Sequence, residues 1–216
     1  MRLASVLDLD HVVVSTAEVS APAYQANTGS RCFICKQALF EALGQVARAR
    51  GIAAVIYGVV ADDALAQRPG HQAALRYAVR APLREAGLTK PQVRRVARAL
   101  GLPNWDKPQN ACLSSRIPHG QEVTEAKLHV IEQAEGVLQA QGFRQVRVRH
   151  LGTHARIEVG PDEVARFQNA ALRRAVERAF EQLGFETVGL DRDGYREGGA
   201  DRAPADEVLL YAVGRC

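Results

Sequence analysis

Three cysteines occupy positions where a thiol could do chemistry. Cys32 and Cys35 form a C-x-x-C pair that is predicted to lie directly before a helix. Backbone N–H groups and the positive end of the helix dipole lower the pKa of a thiol at such a position. Cys112 lies in the loop 105–118, which is polar, non-periodic and bounded by prolines, and which separates two helical patterns. Binding and chemistry concentrate in such loops, so we interpret Cys112 as the reactive centre.

The thiols alone leave several chemistries open. Three thiolates from two loops fit an iron–sulfur cluster in which one iron has no protein ligand. A zinc site completed by His119, a dithiol redox pair and three small buried apolar side chains are the alternatives.

Charged residues with a regular spacing indicate an anion site. Arg147 and Arg149 point to one face of a predicted strand and could hold a phosphate or carboxylate, with Arg116 close to Cys112 in sequence. Glu135 falls on the apolar stripe of a predicted helix, where a carboxylate is costly unless a cation or hydrogen-bond donor meets it. A solvated sheet face and a helix edge near solvent are the alternatives. Together with a reactive thiol, these residues favour an anionic substrate pocket.

Two carboxylates, Asp62 and Asp63, follow the predicted strand 52–57. Open α/β sheets bind ligands at the carboxyl ends of their strands, so this pair is a candidate for the nucleotide side of a site. A solvated turn with a helix-capping aspartate is the alternative.

Composition narrows the class of protein. The chain has 216 residues, 47% of them hydrophobic, and a net charge of +4. It shows no secretion signal and no membrane-spanning run, which predicts a cytoplasmic protein. The mild basic excess suits an anionic ligand, but the arginines are dispersed, which argues against a nucleic-acid interface.

The order of predicted elements indicates two domains. Strands at 11–14 and 52–57 alternate with helices after Cys35, near 71–79 and after Thr89, which predicts a parallel sheet with covering helices. A small α+β unit follows. Its elements are a helix capped by Thr124, strands at 145–150 and 154–159, a helix at 161–183 and a strand at 185–190. The predicted domains are 1–120 and 121–190, with a loose tail or interaction arm at 191–216.

The motifs taken in order resemble one family. They are Arg31-Cys-Phe-Ile-Cys-Lys36, Asp62-Asp63, Arg68-Pro-Gly70, the segment 81–90, Leu102-Pro-Asn-Trp-Asp-Lys-Pro108, Ala111-Cys-Leu-Ser-Ser-Arg-Ile-Pro118 and Ala155-Arg-Ile-Glu-Val159. This series resembles the ATP-dependent sulfur transferases that mature the nickel-pincer cofactor of lactate racemase, members of the PP-loop superfamily. The resemblance covers nearly the whole chain, and the segment from Trp105 to Arg116 is its most specific part.

The resemblance implies a chemistry. Members of the family adenylate the carboxylates of a pyridinium dicarboxylate mononucleotide and exchange the activated oxygen for sulfur. Cys112 matches the cysteine that gives up its sulfur in one version of the family. Because Cys32 and Cys35 are also present, the resemblance implies the version in which three cysteines hold a [4Fe-4S] cluster that carries the transferable sulfide. It further implies that Ser115, Arg116, Arg147 and Arg149 contact substrate and phosphate and that Glu135 is an acidic site residue.

The chain departs from the family at the nucleotide site. The family's PP-loop, Ser-Gly-Gly-x-Asp-Ser, does not occur in the sequence, and Val60 stands where the family tends to have asparagine. The implied fold is therefore a truncated doubly wound parallel sheet of the PP-loop ATP pyrophosphatase type, with Met1 inside the nucleotide domain, followed by the small α+β domain. The missing loop argues against productive binding of ATP and Mg²⁺ by this polypeptide alone. A homo-oligomer or a partner that supplies the PP-loop is expected.

Two other functions compete with the sulfur transferase. A tRNA-thiolating enzyme of the wider PP-loop group would share the basic pI and the three cysteines. A non-catalytic fragment or partner subunit that lacks ATP binding would leave an exposed sheet edge.

Overall fold

The computed structural model describes residues 2–63, 69–196 and 207–212. The α-helices of this part are α1 (Arg2–Val6), α2 (Pro22–Gln25), α3 (Arg31–Ala49), α4 (Pro69–Arg76), α5 (Pro82–Glu85), α6 (Lys90–Ala99), α7 (Glu125–Ala140) and α8 (Ala170–Gln182). The strands are β1 (Val146–Leu151), β2 (His154–Val159), β3 (Thr187–Asp191) and β4 (Glu207–Ala212). Short 3-10 helices lie at Glu18–Ser20, Leu113–Arg116 and Pro161–Gln168. This mixture confirms the α/β class.

The chain folds into two compact units. The first contains residues 1–24 and 28–107, and the second contains 25–27 and 108–216. The loop that bears Cys112 therefore packs with the second unit, although the sequence placed it before a boundary at residue 120. The nucleotide-binding role expected of the first unit stays a prediction.

The core of the first unit is small. Phe40 of α3 packs against Ala73 and Ala74 of α4, and all three side chains are buried. The rings of Tyr57 and Tyr77 contact Phe40, at centroid distances of 6.0 and 6.4 Å. The predicted helix after Cys35 is present, but it begins earlier, at Arg31.

The strands predicted in the first unit are not formed in the described residues. Residues 11–14 have no strand partner, and Val13 is 68% exposed. The segment 52–57 makes only an isolated parallel bridge between Ile56 and Arg80. An apolar run becomes a strand only when another strand completes its hydrogen bonds, and the described residues of this unit supply none. The predicted parallel sheet is therefore not observed here, and the PP-loop type of fold stays a prediction.

Helix α6 forms as predicted, but part of its apolar face stays exposed among the described residues. Thr89 and Gln92 make a capping box at the start of the helix. Two of its apolar side chains are exposed, Val96 by 49% and Leu100 by 70%. Local signals therefore place this helix correctly without determining what packs against it.

The second unit is built on a four-stranded sheet in the order β1-β2-β3-β4. β1 and β2 are antiparallel, β2 and β3 are parallel, and β3 and β4 are antiparallel. One face carries the core, in which Val148, Ile157 and Val188 pack with side chains of α7 and α8. The alternation predicted for the first two strands is confirmed, and α7 begins after the predicted cap, Thr124.

Two predictions in this unit are wrong. The helix expected at 161–183 is interrupted, because the Asn169 side chain accepts hydrogen bonds from the N–H groups of Ala171 and Leu172 and so caps α8 separately. The tail, expected to be loose or an interaction arm, contains β4, which extends the sheet by pairing with β3. β4 forms because the edge of β3 is free to pair with it, and local sequence does not show this. Residues 197–206 and 213–216 of the tail lie outside the described part.

Candidate functional site

Cys112 combines a fixed backbone with an exposed side chain. It precedes the 3-10 helix Leu113–Arg116 in an extended conformation. Its carbonyl oxygen accepts hydrogen bonds from the Ser115 N–H (3.0 Å), the Ser115 hydroxyl (2.8 Å) and Arg116 Nη1 (2.9 Å). The thiol itself is free and exposed. A nucleophile held in this way can meet a ligand without first being ordered.

Arg116 stabilises the loop that bears Cys112 through hydrogen bonds from its buried side chain. Its side chain is fully buried and donates to both carboxylate oxygens of Glu135, at 2.7 and 3.0 Å. It also donates to the carbonyl of Ala111 (2.8 Å) and to the side chain of Asn110 (3.2 Å). Glu135 is therefore matched by a cation and also accepts the Val148 N–H at 3.1 Å. The pair connects α7, β1 and the cysteine loop.

The second face of the sheet carries charged side chains that are buried. Arg149 donates to both oxygens of Glu158, at 2.9 and 2.7 Å, and to the carbonyl of Ser115 at 2.9 Å. Arg156 lies opposite Arg149 in the register and is 3.4 Å from Glu158 and 3.5 Å from Glu207. Glu158 thus separates two arginines that would otherwise repel each other.

Arg147 differs from these arginines because no carboxylate pairs with it in the described residues. Its side chain donates to the carbonyls of Val146 (2.7 Å) and Gln109. The guanidinium lies over the ring of Tyr195, 4.8 Å from the centroid. Burial lowers the pKa of Arg147, and the neighbouring charge of Arg116 lowers it further. A buried guanidinium that is this weakly compensated favours an anionic ligand.

The C-x-x-C pair lies inside a helix, which corrects the prediction that it precedes one. Cys32 and Cys35 occupy the first turns of α3, where cysteines three positions apart share a face. Cys32 is exposed, whereas Cys35 is partly buried with its Sγ 3.9 Å from Glu18 Oε1. Both belong to the first unit, and Cys112 belongs to the second. Among the described residues, no group of three or more His, Cys, Asp or Glu side chains is placed to hold a metal ion.

The carboxylates predicted on the nucleotide side have local partners. Asp62 accepts the Lys90 N–H at the start of α6 (2.9 Å), and Asp63 accepts the Val60 N–H (3.1 Å). These contacts fit the alternative of a capping turn. A role in nucleotide binding stays a prediction.

Sequence reasoning missed three residues that shape the site. Glu158 could have been found by pairing the two predicted strands, since it falls on the same face as Arg149. Asn27 and Tyr195 carry no local signal. The buried Asn27 donates its amide to three carbonyls beside the loop, those of Ile117 (3.3 Å), Pro118 (2.7 Å) and Gln121 (2.9 Å).

Within the described residues, no helix combines the length and the apolar character that a membrane span needs. The cytoplasmic location stays a prediction.

Comparison with known proteins identifies relatives over most of the chain. No family model matches. An uncharacterized protein of Synechocystis sp. is 42% identical over 197 residues, which are 91% of this chain and 73% of that protein. The pyridinium-3,5-bisthiocarboxylic acid mononucleotide synthase of Lactiplantibacillus plantarum is 35% identical over 172 residues, 80% of this chain and 62% of the synthase. An uncharacterized protein of Methanocaldococcus jannaschii is 26% identical over 170 residues, 79% of this chain and 66% of that protein.

Proposed function

The chain belongs to the same family as the uncharacterized Synechocystis protein, and on this premise we propose that it is a sulfur transferase that forms thiocarboxylates in nickel-pincer cofactor biosynthesis. The name of the Lactiplantibacillus relative supports the reaction class. The proposed substrate is a pyridinium dicarboxylate mononucleotide whose carboxylates have been adenylated.

One observation carries the proposal: the exposed Cys112 thiol on a backbone that Ser115 and Arg116 hold by its carbonyl. A sulfur donor has to reach a bulky anionic substrate, which requires exposure. It also has to attack one carbon atom, which requires a fixed backbone. The buried ion pair between Arg116 and Glu135 supplies that rigidity.

The proposed reaction begins with attack by the Cys112 thiolate on the carbonyl carbon of the acyl adenylate. A carbon–sulfur bond forms, and AMP leaves with the electron pair of the carbon–oxygen bond. Loss of the Cys112 α-proton to solvent and cleavage of its Cβ–S bond then release the thiocarboxylate. The residue left at position 112 is dehydroalanine, so the chain donates one sulfur atom per thiocarboxylate.

Arg147 is the proposed contact for the substrate phosphate. Its charge is buried and has no carboxylate partner in the described residues, whereas Arg116 and Arg149 each have one. An anionic phosphate would supply the missing countercharge. The loop that bears Cys112 and strand β1 are then positioned around the substrate by Arg116, Arg149 and Glu135. The hydrogen bond from Arg149 to the Ser115 carbonyl joins the loop to β1.

A [4Fe-4S] cluster on Cys32, Cys35 and Cys112 remains a separate proposal. When bound, such a cluster would supply a transferable sulfide and spare the cysteine. Anaerobic reconstitution followed by iron and sulfide analysis tests it. Iron retained in full by a Cys35→Ala variant would count against it.

The sulfur-transfer step is tested with a synthetic acyl adenylate of the substrate, because the test then does not depend on ATP binding. Mass spectrometry of the product and of the peptide that contains Cys112 is expected to show a thiocarboxylate and dehydroalanine in equal amounts. Cys112→Ser should abolish both, and Cys32→Ser is the matched control that should retain both. Product formation by Cys112→Ser would refute the proposal. Loss of activity in both variants, together with bound iron, would favour the cluster as the sulfur donor.

A further inference from the structure

The turn that follows β3 is held in one conformation. Gly194 has a φ of 71°, and a Cβ at this position would lie 2.5 Å from the carbonyl oxygen of Val159. The next residue, Tyr195, donates its N–H to the same oxygen at 2.7 Å. Arg196 pairs with Asp193 at 2.6 Å across the turn. A turn with these constraints fixes the backbone from which the Tyr195 side chain extends.

The ring lies against the buried arginine that has no ion-pair partner in the described part. The Arg147 guanidinium is 4.8 Å from the ring centroid. Its guanidinium donates hydrogen bonds to the backbone carbonyls of Val146 and Gln109, which carry no net charge. Arg116 and Arg149 each face a glutamate instead. Tyr195 is therefore a partner that stabilises the cation without neutralising it.

We propose that Tyr195 is a positioning residue for the substrate phosphate: its ring keeps the Arg147 guanidinium in place while leaving the full positive charge available to the anion. The proposal depends on the proposed function, because it assigns the phosphate of the mononucleotide to Arg147. A glutamate at position 195 would hold Arg147 as firmly, but it would repel the phosphate and cancel the charge that binds it.

The contribution of the Tyr195 ring to ligand binding depends on how far its contact with Arg147 is shielded from water. A cation–π contact is worth more when water is excluded, and Arg147 is only 4% exposed. Removing the ring is expected to weaken binding of the mononucleotide about 5- to 30-fold, the equivalent of about 1–2 kcal/mol. The hydroxyl group of Tyr195 has no part in this contact, so its removal should have little effect.

The test uses the full chain and calorimetric titration with nicotinic acid mononucleotide, a pyridinium carboxylate with the same phosphate group. Tyr195→Leu is expected to bind about 5- to 30-fold more weakly than the unmodified chain, and Tyr195→Phe within about twofold of it. Equal losses in the Phe and Leu variants would overturn the proposal, as would full affinity in the Leu variant.

A second series of variants tests the role of the ring even if the Leu variant fails to fold. Mono-, di- and trifluorophenylalanine at position 195 keep the volume of the ring but withdraw electron density from its face step by step. The affinity is expected to fall with each added fluorine, because the cation–π attraction falls with it. An affinity that does not change along the series would refute the role of the ring.

Arg147→Met separates this proposal from the proposed function. If the Met variant binds the mononucleotide as tightly as the unmodified chain, the phosphate does not use Arg147 and the site assignment itself fails. If Arg147→Met abolishes binding and Tyr195→Leu does not weaken it, the site assignment stands and only the role of Tyr195 is wrong.

Discussion

The ion pair between Arg116 and Glu135 can be perturbed with almost no change in shape by Glu135→Gln. The amide oxygen can still accept from Arg116 Nε and from the Val148 N–H, as Glu135 Oε1 does at 2.7 and 3.1 Å. The amide nitrogen, however, faces Arg116 Nη2, which lies 3.0 Å from Glu135 Oε2, so two donors meet. The substitution therefore leaves a buried guanidinium without its countercharge.

The expected loss of stability is large because both partners are buried. The side chains of Arg116 and Glu135 are 0% and 7% exposed, so solvent does not screen the change. Breaking one side of such a pair costs about 3–5 kcal/mol, or roughly a thousandfold in the ratio of folded to unfolded second unit. The matched control is Glu177→Gln in the i,i+4 pair with Arg173, whose side chain is 44% exposed. That change should cost no more than about 0.5 kcal/mol.

Urea unfolding followed by hydrogen exchange of the peptides from β1 to β3 measures the effect in the second unit. Trp105, the single tryptophan, belongs to the first unit and reports on that unit by fluorescence. The rate at which iodoacetamide alkylates Cys112 should also change, because Arg116 holds the carbonyl of that residue. A loss below about 1 kcal/mol in the second unit, or a loss equal to that of the control, would refute the reasoning.

Three further predictions concern the surroundings of the site. Asn27→Asp would turn a carboxylate toward three carbonyl oxygens, which should lower the free energy of unfolding by about 3 kcal/mol. Urea unfolding measures this loss, which should be smaller at low pH because the protonated acid can donate a hydrogen bond. Burial, with a smaller effect of Lys127, lowers the pKa of His150 in the folded chain. The unfolded state then binds more protons, so stability should fall as the pH drops below about 6.5, and His150→Gln should flatten that dependence in unfolding measurements across pH. Gly189→Ala would place a methyl group against the Glu207 carboxylate, so faster hydrogen exchange is expected in β4, and unchanged exchange would contradict the contact.

Local patterns predicted the second unit better than the first. Helix α7, its cap at Thr124 and the alternation in β1 and β2 all follow from residues close together in sequence. The strands expected at 11–14 and 52–57 were wrong because the same apolar runs need strand partners that the described residues do not provide. The split at Asn169 was missed because a capping side chain was taken for part of a continuous helix.

The sequence by itself determined which residues share a face, because side-chain direction repeats every 2 residues in a strand and every 3.6 in a helix. That was sufficient to place Arg147 and Arg149 together and to mark Glu135 as a carboxylate in need of a partner. Only the tertiary structure decided the partners. Arg116 and Glu135 are 19 positions apart, and Arg147 of β1 contacts Tyr195 in the turn that follows β3. Which charges are neutralised and which stay available to a ligand depends on strand register and packing between distant segments, and neither is encoded in local periodicity.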